Sequence, residues 1–169
     1  EEHVTRVADV TVACVNVPLS EARHFGVITV DRDARVTSFD EKPAQAQALA
    51  DEPGQVLASM GIYVFNLAFL CEQLTRDAAD PQSSHDFGHD LLPWLVTRHR
   101  VFAHRFSESC VNMVGARPYW RDVGTIDAYW EANMDLTTVV PELNLYDDQW
   151  PILSQQPQLP PAKFVFDED

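Results

Sequence analysis

The stretch Asp9-Val10-Thr11-Val12-Ala13-Cys14-Val15-Asn16-Val17 decides the reading of the fold. It is rich in β-branched residues, is uncharged after Asp9 and halts at Pro18, the pattern of a buried strand. Working outward, Ser20 to His24 reads as a short helical or turn segment and Gly26 to Asp31 as a second strand. Asp31-Arg32-Asp33-Ala34 is a turn, and Arg35 to Asp40 returns as a third strand, ended by Pro43, so a hairpin is expected. Ala44 to Ala50, rich in Ala and Gln, is expected to be helical. Leu57 to Phe65 is another strand. Asn66 can then cap a helix on which Leu67, Leu70, Cys71 and Leu74 recur at helical spacing. Ser83 to Gly88 is a polar loop, Asp90 to Thr97 a short helix with Pro93 near its first turn, and Arg100 to Phe106 a strand. Thr125 can cap a long helix reaching Val139, with Asp127 placed to suit the helix dipole. Ile126, Trp130, Asn133, Met134 and Thr137 share one face of it. Alternating strands and helices predict an α/β domain, and the hairpin makes the sheet mixed.

The chain has 169 residues, of which 46% are hydrophobic, enough for one domain with a proper core. Five of the 11 prolines lie between Pro141 and Pro161, so residues 141–169 read as an extended arm or linker. The net charge of −14 disfavours nucleic acid and anionic membrane as partners, and no apolar run is long enough to span a bilayer. A phosphorylated small molecule stays compatible with that charge, because one cation in a cleft outweighs a distant surface. The three cysteines, Cys14, Cys71 and Cys110, are odd in number, widely spaced and in apolar surroundings, which predicts buried free thiols in a reducing, cytoplasmic setting. The start Glu1-Glu2-His3 shows no signal peptide and no initiator Met, and a piece of a longer protein is expected. Of the 12 basic residues only Lys42 and Lys163 are lysines, which singles them out where a compact ammonium is needed.

Four clusters carry chemistry. In Phe39-Asp40-Glu41-Lys42-Pro43, a strand end fixed by proline presents an acid and a base together. Lys42 can hold a phosphate and Glu41 can accept from sugar hydroxyls, or the two can form a surface ion pair. In Trp120-Arg121-Asp122-Val123-Gly124-Thr125, Asp122 can bind Mg²⁺, form a salt bridge with Arg121, or serve as a turn residue. In Ala58-Ser59-Met60-Gly61-Ile62-Tyr63, Ser59 and Tyr63 supply hydroxyls and Gly61 permits close backbone approach, or the segment simply packs as a strand. In Ser84-His85-Asp86-Phe87-Gly88, His85 and Asp86 suit acid–base work or loop hydrogen bonding. No GxGxxG, P-loop, HExxH or CxxC pattern occurs.

Taken in order, Phe25-Gly26-Val27, Glu41-Lys42-Pro43, the run Leu57 to Phe65, the Ser84 to Gly88 string, Tyr119 to Thr125, Asp127 to Asn133, Pro141-Glu142-Leu143-Asn144, Trp150-Pro151-Ile152 and Pro160 to Val165 span nearly the whole chain. This set resembles the bacterial glucose-1-phosphate adenylyltransferase (ADP-glucose pyrophosphorylase) family. The resemblance implies part of a Rossmann-like, GT-A-like nucleotidyltransferase domain with a mixed sheet. Residues 1–140 would be its sugar-phosphate half, and 141–169 an arm toward a C-terminal β-helix domain. It implies the reaction of ATP with α-D-glucose 1-phosphate to give ADP-glucose and pyrophosphate for glycogen synthesis. That enzyme is cytoplasmic, allosteric and usually homotetrameric. By the same resemblance, Gly26, Glu41, Lys42, Ser59, Tyr63, Asp86, Phe87 and Trp120 bind glucose 1-phosphate. Lys42 and Asp122 serve catalysis, and Asp122 is one of two aspartates holding Mg²⁺.

Four departures stand beside it. The chain lacks the Gly-rich loop with Arg that cradles the triphosphate, the segment with the other metal-binding aspartate, and the β-helix domain. His89 occupies the place where the family commonly has Lys. An isolated chain of this extent is therefore expected to be inactive. Another sugar-1-phosphate nucleotidyltransferase, or a non-catalytic regulatory subunit of the same family, are the alternatives.

Overall fold

Side chains on a strand alternate between its two faces, and β1 (Val10–Pro18) uses both. Val10, Val12 and Cys14 enter one core with Ile28, Leu57, Leu91, Leu92 and Leu95, while Val17 enters a second with Ala22, Val27, Val56 and Ala58. Burial on both faces is why this segment lacks charge. The computed structural model describes residues 1–110, 113–114, 117–148, 151, 153 and 160. It divides into two compact units, Glu1–Cys110 and Val111–Asp169.

In the first unit a short helix α1 (Glu2–Thr5) precedes β1, and a tight helical turn Leu19–His24 follows it. Then come β2 (Gly26–Val30), β3 (Val36–Glu41), β4 (Gln55–Phe65) and α2 (Leu67–Ala78). A wide helical turn, Phe87–Leu91, runs into α3 (Leu92–Val96), and β5 (Val101–Arg105) completes the sheet. The five strands lie in the order β3-β2-β4-β1-β5. Only β1 and β5 pair in parallel; β4 runs antiparallel to β1 and ends beside its start, and the helical segments between β4 and β5 lead into β5 at that same end. The expected α/β domain with a mixed sheet and a β2–β3 hairpin is what forms. In the second unit β6 (Met113–Val114) pairs with β7 (Arg117–Pro118), and α4 (Ile126–Asp135) follows. Among the described residues no helix is long and apolar enough to cross a membrane.

Several local expectations change. Ala44–Ala50 is not helical. Seven residues behind a proline form too short a nucleus, and tertiary contacts claim them: Ala46 packs against the second core, and the Leu49 amide donates to the Gln55 carbonyl at 2.8 Å. Asn66 occupies the cap position of α2 without a side-chain cap hydrogen bond. The Leu67, Cys71 and Leu74 stripe of α2 faces outward, and Gln73 and Asp77 are buried instead. Specific pairings turn the helix: Phe69 meets His99 edge-on, and Arg76 lies 3.6 Å over the Trp94 ring. Thr125 does cap α4, accepting from the Ala128 amide at 3.1 Å, but the helix ends at Asp135, before the β-branched run Thr137 to Val140. No disulfide joins the three cysteines, and only Cys14 is buried. Most of the proline-rich arm, including Lys163, lies outside the described residues.

Candidate functional site

The site begins where the hairpin closes. Gly26, the first residue of β2, pairs in register with Glu41, the last of β3. A Cβ on Gly26 would lie 2.9 Å from Glu41 Oε2, and one on Gly88 would lie 2.5 Å from the same atom. Two glycines from separate segments therefore form the notch that holds this carboxylate. Gly88 was not among the residues singled out from sequence. Its signal was its place two residues after a capping Asp.

Lys42 follows immediately, with its amide donating to the Phe25 carbonyl at 3.0 Å. Its φ is +45°, although a residue before proline normally stays extended. A non-glycine residue in this region costs of order 1–3 kcal/mol and persists only where its surroundings impose it. The side chain is mostly exposed, with Nζ 3.5 Å from Glu41 Oε1. Both sequence readings of Lys42 thus survive: it is ion-paired, and its ammonium stands at the edge of the notch.

β4 supplies the hydroxyls. Val12 pairs with Tyr63 and Cys14 with Ser59, so four steps of β4 match two of β1. This bulge, with Gly61 at φ +71°, shortens the path between the two side chains. Ser59 Oγ accepts from the Gly61 amide at 3.3 Å and lies 3.5 Å from the Tyr63 hydroxyl. Tyr63 stacks on Phe87 with ring centroids 5.7 Å apart and planes 6° from parallel. Burial pushes the Tyr63 phenol up, and the Glu41 and Asp86 carboxylates add to the rise. The structure so gathers Gly26, Glu41, Lys42, Ser59, Tyr63, Asp86 and Phe87 in one unit, with Gly88 added.

Asp86 makes the loop hydrogen bonds that were one of the two alternatives for its segment. Its Oδ1 accepts the Gly88 and His89 amides, both at 2.8 Å, and so caps the wide helical turn. These hydrogen bonds order the turn beside Glu41. His89 pairs with Asp90 at 3.1 Å, and that hydrogen bond raises its pKa.

Trp120 and Asp122 belong to the second unit. Arg121 pairs with Asp135 at 2.8 Å and Glu142 at 3.1 Å, and the Arg121–Asp122 salt bridge, one of the alternatives for Asp122, is not among the ion pairs of the described residues. Asp122 is exposed, and among the described residues no cation or donor engages its carboxylate. An uncommitted hard oxygen ligand fits Mg²⁺, which takes one or two carboxylates alongside substrate phosphates. A different group, Glu2, His104 and Glu108, has ligand atoms within 4.8 Å of one another. There His104 is committed to Glu2 and to Ser109, at 2.8 Å from the latter, and Glu2 also holds Arg6 at 2.7 Å. These contacts account for Glu2 and His104 without an ion.

Known proteins are similar in sequence over nearly the whole chain. The chain is 66% identical over 167 residues to glucose-1-phosphate adenylyltransferase from Methylobacillus flagellatus, covering 99% of this chain and 39% of that protein. It is 62% identical over 168 residues to the protein of that name from Nitrosospira multiformis, covering 99% and 40%. For the Nitrosomonas europaea protein the identity is 60% over 169 residues, covering 99% and 39%. The chain thus spans about two fifths of the length of the curated relatives it matches. The family described as nucleotidyl transferase matches residues 1–139, the whole first unit and α4 of the second. With that match over a mixed α/β sheet, the chain belongs to the nucleotidyl transferase family.

Proposed function

We propose that this chain is the sugar-phosphate-binding part of a glucose-1-phosphate adenylyltransferase. The observation that carries the proposal is the 66% identity, over 99% of the chain, to a protein of that name. The notch around Glu41 supports it chemically. Lys42 meets the sugar phosphate as a point charge, and Glu41 accepts hydrogen bonds from sugar hydroxyls. Ser59 and Tyr63 offer hydroxyls, and Asp86 and Phe87 form the wall. A phosphate oxygen of glucose 1-phosphate forms a bond to the α-phosphorus of ATP. The bond to the β-phosphate oxygen breaks, and pyrophosphate leaves with the electron pair. The protein contributes placement and charge neutralisation. Asp122 would hold Mg²⁺, which offsets the charge of the triphosphate when bound.

On this reading residues 1–140 are the sugar-phosphate half of the catalytic domain and 141–169 begin an arm to a further domain. The whole protein is cytoplasmic, allosteric and homotetrameric, and supplies ADP-glucose for glycogen. The test is pyrophosphate release by the full-length protein, supplied with glucose 1-phosphate and each of ATP, UTP and dTTP. Release requiring glucose 1-phosphate and fastest with ATP is expected. Preference for UTP or dTTP would assign a different sugar nucleotidyltransferase, and no release would leave a regulatory subunit. The 169-residue chain alone should be inactive, because each missing charge-stabilising group is worth roughly 10²–10³ in rate.

A further inference from the structure

Behind the Glu41–Gly88 contact stands a second group of side chains. Asp77, in the last turn of α2, is 7% exposed. One of its oxygens accepts the Ser83 hydroxyl at 2.8 Å, and the other faces His85 Nδ1 at 2.8 Å. The His85 amide in turn donates to Ser83 Oγ at 3.0 Å. Closing this ring places His85 at φ +60°, the left-handed region that residues with a Cβ avoid. A buried carboxylate is tolerated only when its oxygens are satisfied, so Asp77 holds both loop donors in place. Its position against the carboxylate puts the imidazole proton on Nδ1.

The next three residues are Asp86, Phe87 and Gly88. Asp86 fixes the Gly88 and His89 amides, Phe87 stacks on Tyr63, and Gly88 borders Glu41 Oε2. We infer that Asp77 and His85 are positioning residues, a clamp that sets the Ser83–Gly88 segment so that the wall of the sugar-phosphate notch meets Tyr63 and Glu41. This inference rests on the sugar-phosphate reading of the site. His85 acts through Asp86 and Gly88, with its own ring turned toward Asp77.

Two variants of the full-length protein separate the clamp from the backbone strain. His85→Gly tolerates the left-handed conformation but has no donor for Asp77, whereas His85→Asn tolerates it and keeps a side-chain N–H. The readouts are the KM values for glucose 1-phosphate and ATP, and amide hydrogen exchange at Gly88 and His89. For His85→Gly, exchange at both amides should speed up about tenfold and the glucose 1-phosphate KM should rise about tenfold, as for loss of one hydrogen bond. The ATP KM should stay within about twofold, and His85→Asn should restore both readouts to near the parent values. Unchanged exchange in His85→Gly would overturn the clamp, whatever the activity. Faster exchange with an unchanged KM, or equal changes in both KM values, would overturn its role in positioning the site. A parent protein inactive with every sugar phosphate would instead overturn the proposed function, and exchange alone would then decide the clamp.

Discussion

Glu41 Oε2 fills the space that a methyl group on Gly88 would need, since a Cβ there would lie 2.5 Å away. A real Cβ essentially never comes that close to another heavy atom, so either the carboxylate, the far end of a flexible side chain, or the turn must move when Gly88 gains a side chain. Gly26 closes the notch from the hairpin side. Glu41 Oε2 thus lies where two glycines leave room for it.

Gly88→Ala should therefore act on sugar-phosphate binding through Glu41. In the full-length protein the glucose 1-phosphate KM should rise about tenfold, with the ATP KM nearly unchanged. In a Glu41→Ala background the same substitution should have little further effect, because residues acting through one contact are not additive. Additive effects in that double-mutant cycle would show that Gly88 acts elsewhere.

Lys42 carries two separable effects, one of charge and one of backbone. Lys42→Ala or Lys42→Gln removes a charge-assisted hydrogen bond of about 1.5–3 kcal/mol, an approximately 10- to 100-fold rise in the glucose 1-phosphate KM. The ATP KM should change much less. Because Lys42 lies at φ +45°, Lys42→Gly should unfold at a higher urea concentration than Lys42→Ala. The difference should be roughly 0.5–1 kcal/mol, the left-handed penalty less the extra chain entropy of glycine. An unchanged sugar-phosphate KM in Lys42→Ala would reduce Lys42 to the ion pair it makes with Glu41.

Asp122→Asn should show the opposite kinetic split. Its carboxylate is not paired with Arg121, so the substitution breaks no ion pair seen among the described residues. A ligand to Mg²⁺ acts on charge that develops during transfer, so kcat should fall about 10²–10³-fold with a smaller change in sugar-phosphate KM. Titrating Mg²⁺ should show half-saturation moving to higher concentration. Parent-like Mg²⁺ dependence would mean that Asp122 is only a turn residue.

Acid should loosen the loop that walls the site. The Ser84 hydroxyl, with His89 adding, holds Asp90 down at about 2. A carboxylate whose folded pKa lies below its unfolded value stabilises the fold above the unfolded value, and that contribution is lost as pH falls through the folded one. Urea midpoints should therefore decline as pH falls from about 4 toward 2, the span between the ordinary Asp value and this one. Ser84→Ala removes the largest cause and should flatten that decline. His89 works the other way: Asp90 raises its pKa, so its contribution is present below about 6.5 and is lost as pH rises through the raised value.

The strands were legible from sequence because a doubly buried strand must be written in apolar, β-branched residues, as Val10 to Val17 is. The hairpin was legible from its turn, and the cap of α4 from Thr125, since each depends on near neighbours in the chain. The outward stripe of α2 was not: Leu67, Cys71 and Leu74 have the right period, but period alone does not say which face a helix buries. The pairings of Phe69 with His99 and of Arg76 with Trp94 lie across more than 15 residues of chain. Glu41 and Lys42 could be marked as chemistry from their strand end. That Gly88, 47 residues later, shapes the space around Glu41, and that Asp77 and His85 hold Gly88's loop, only the tertiary structure decided. Such contacts depend on how separate elements are brought together, which no local run of residues encodes.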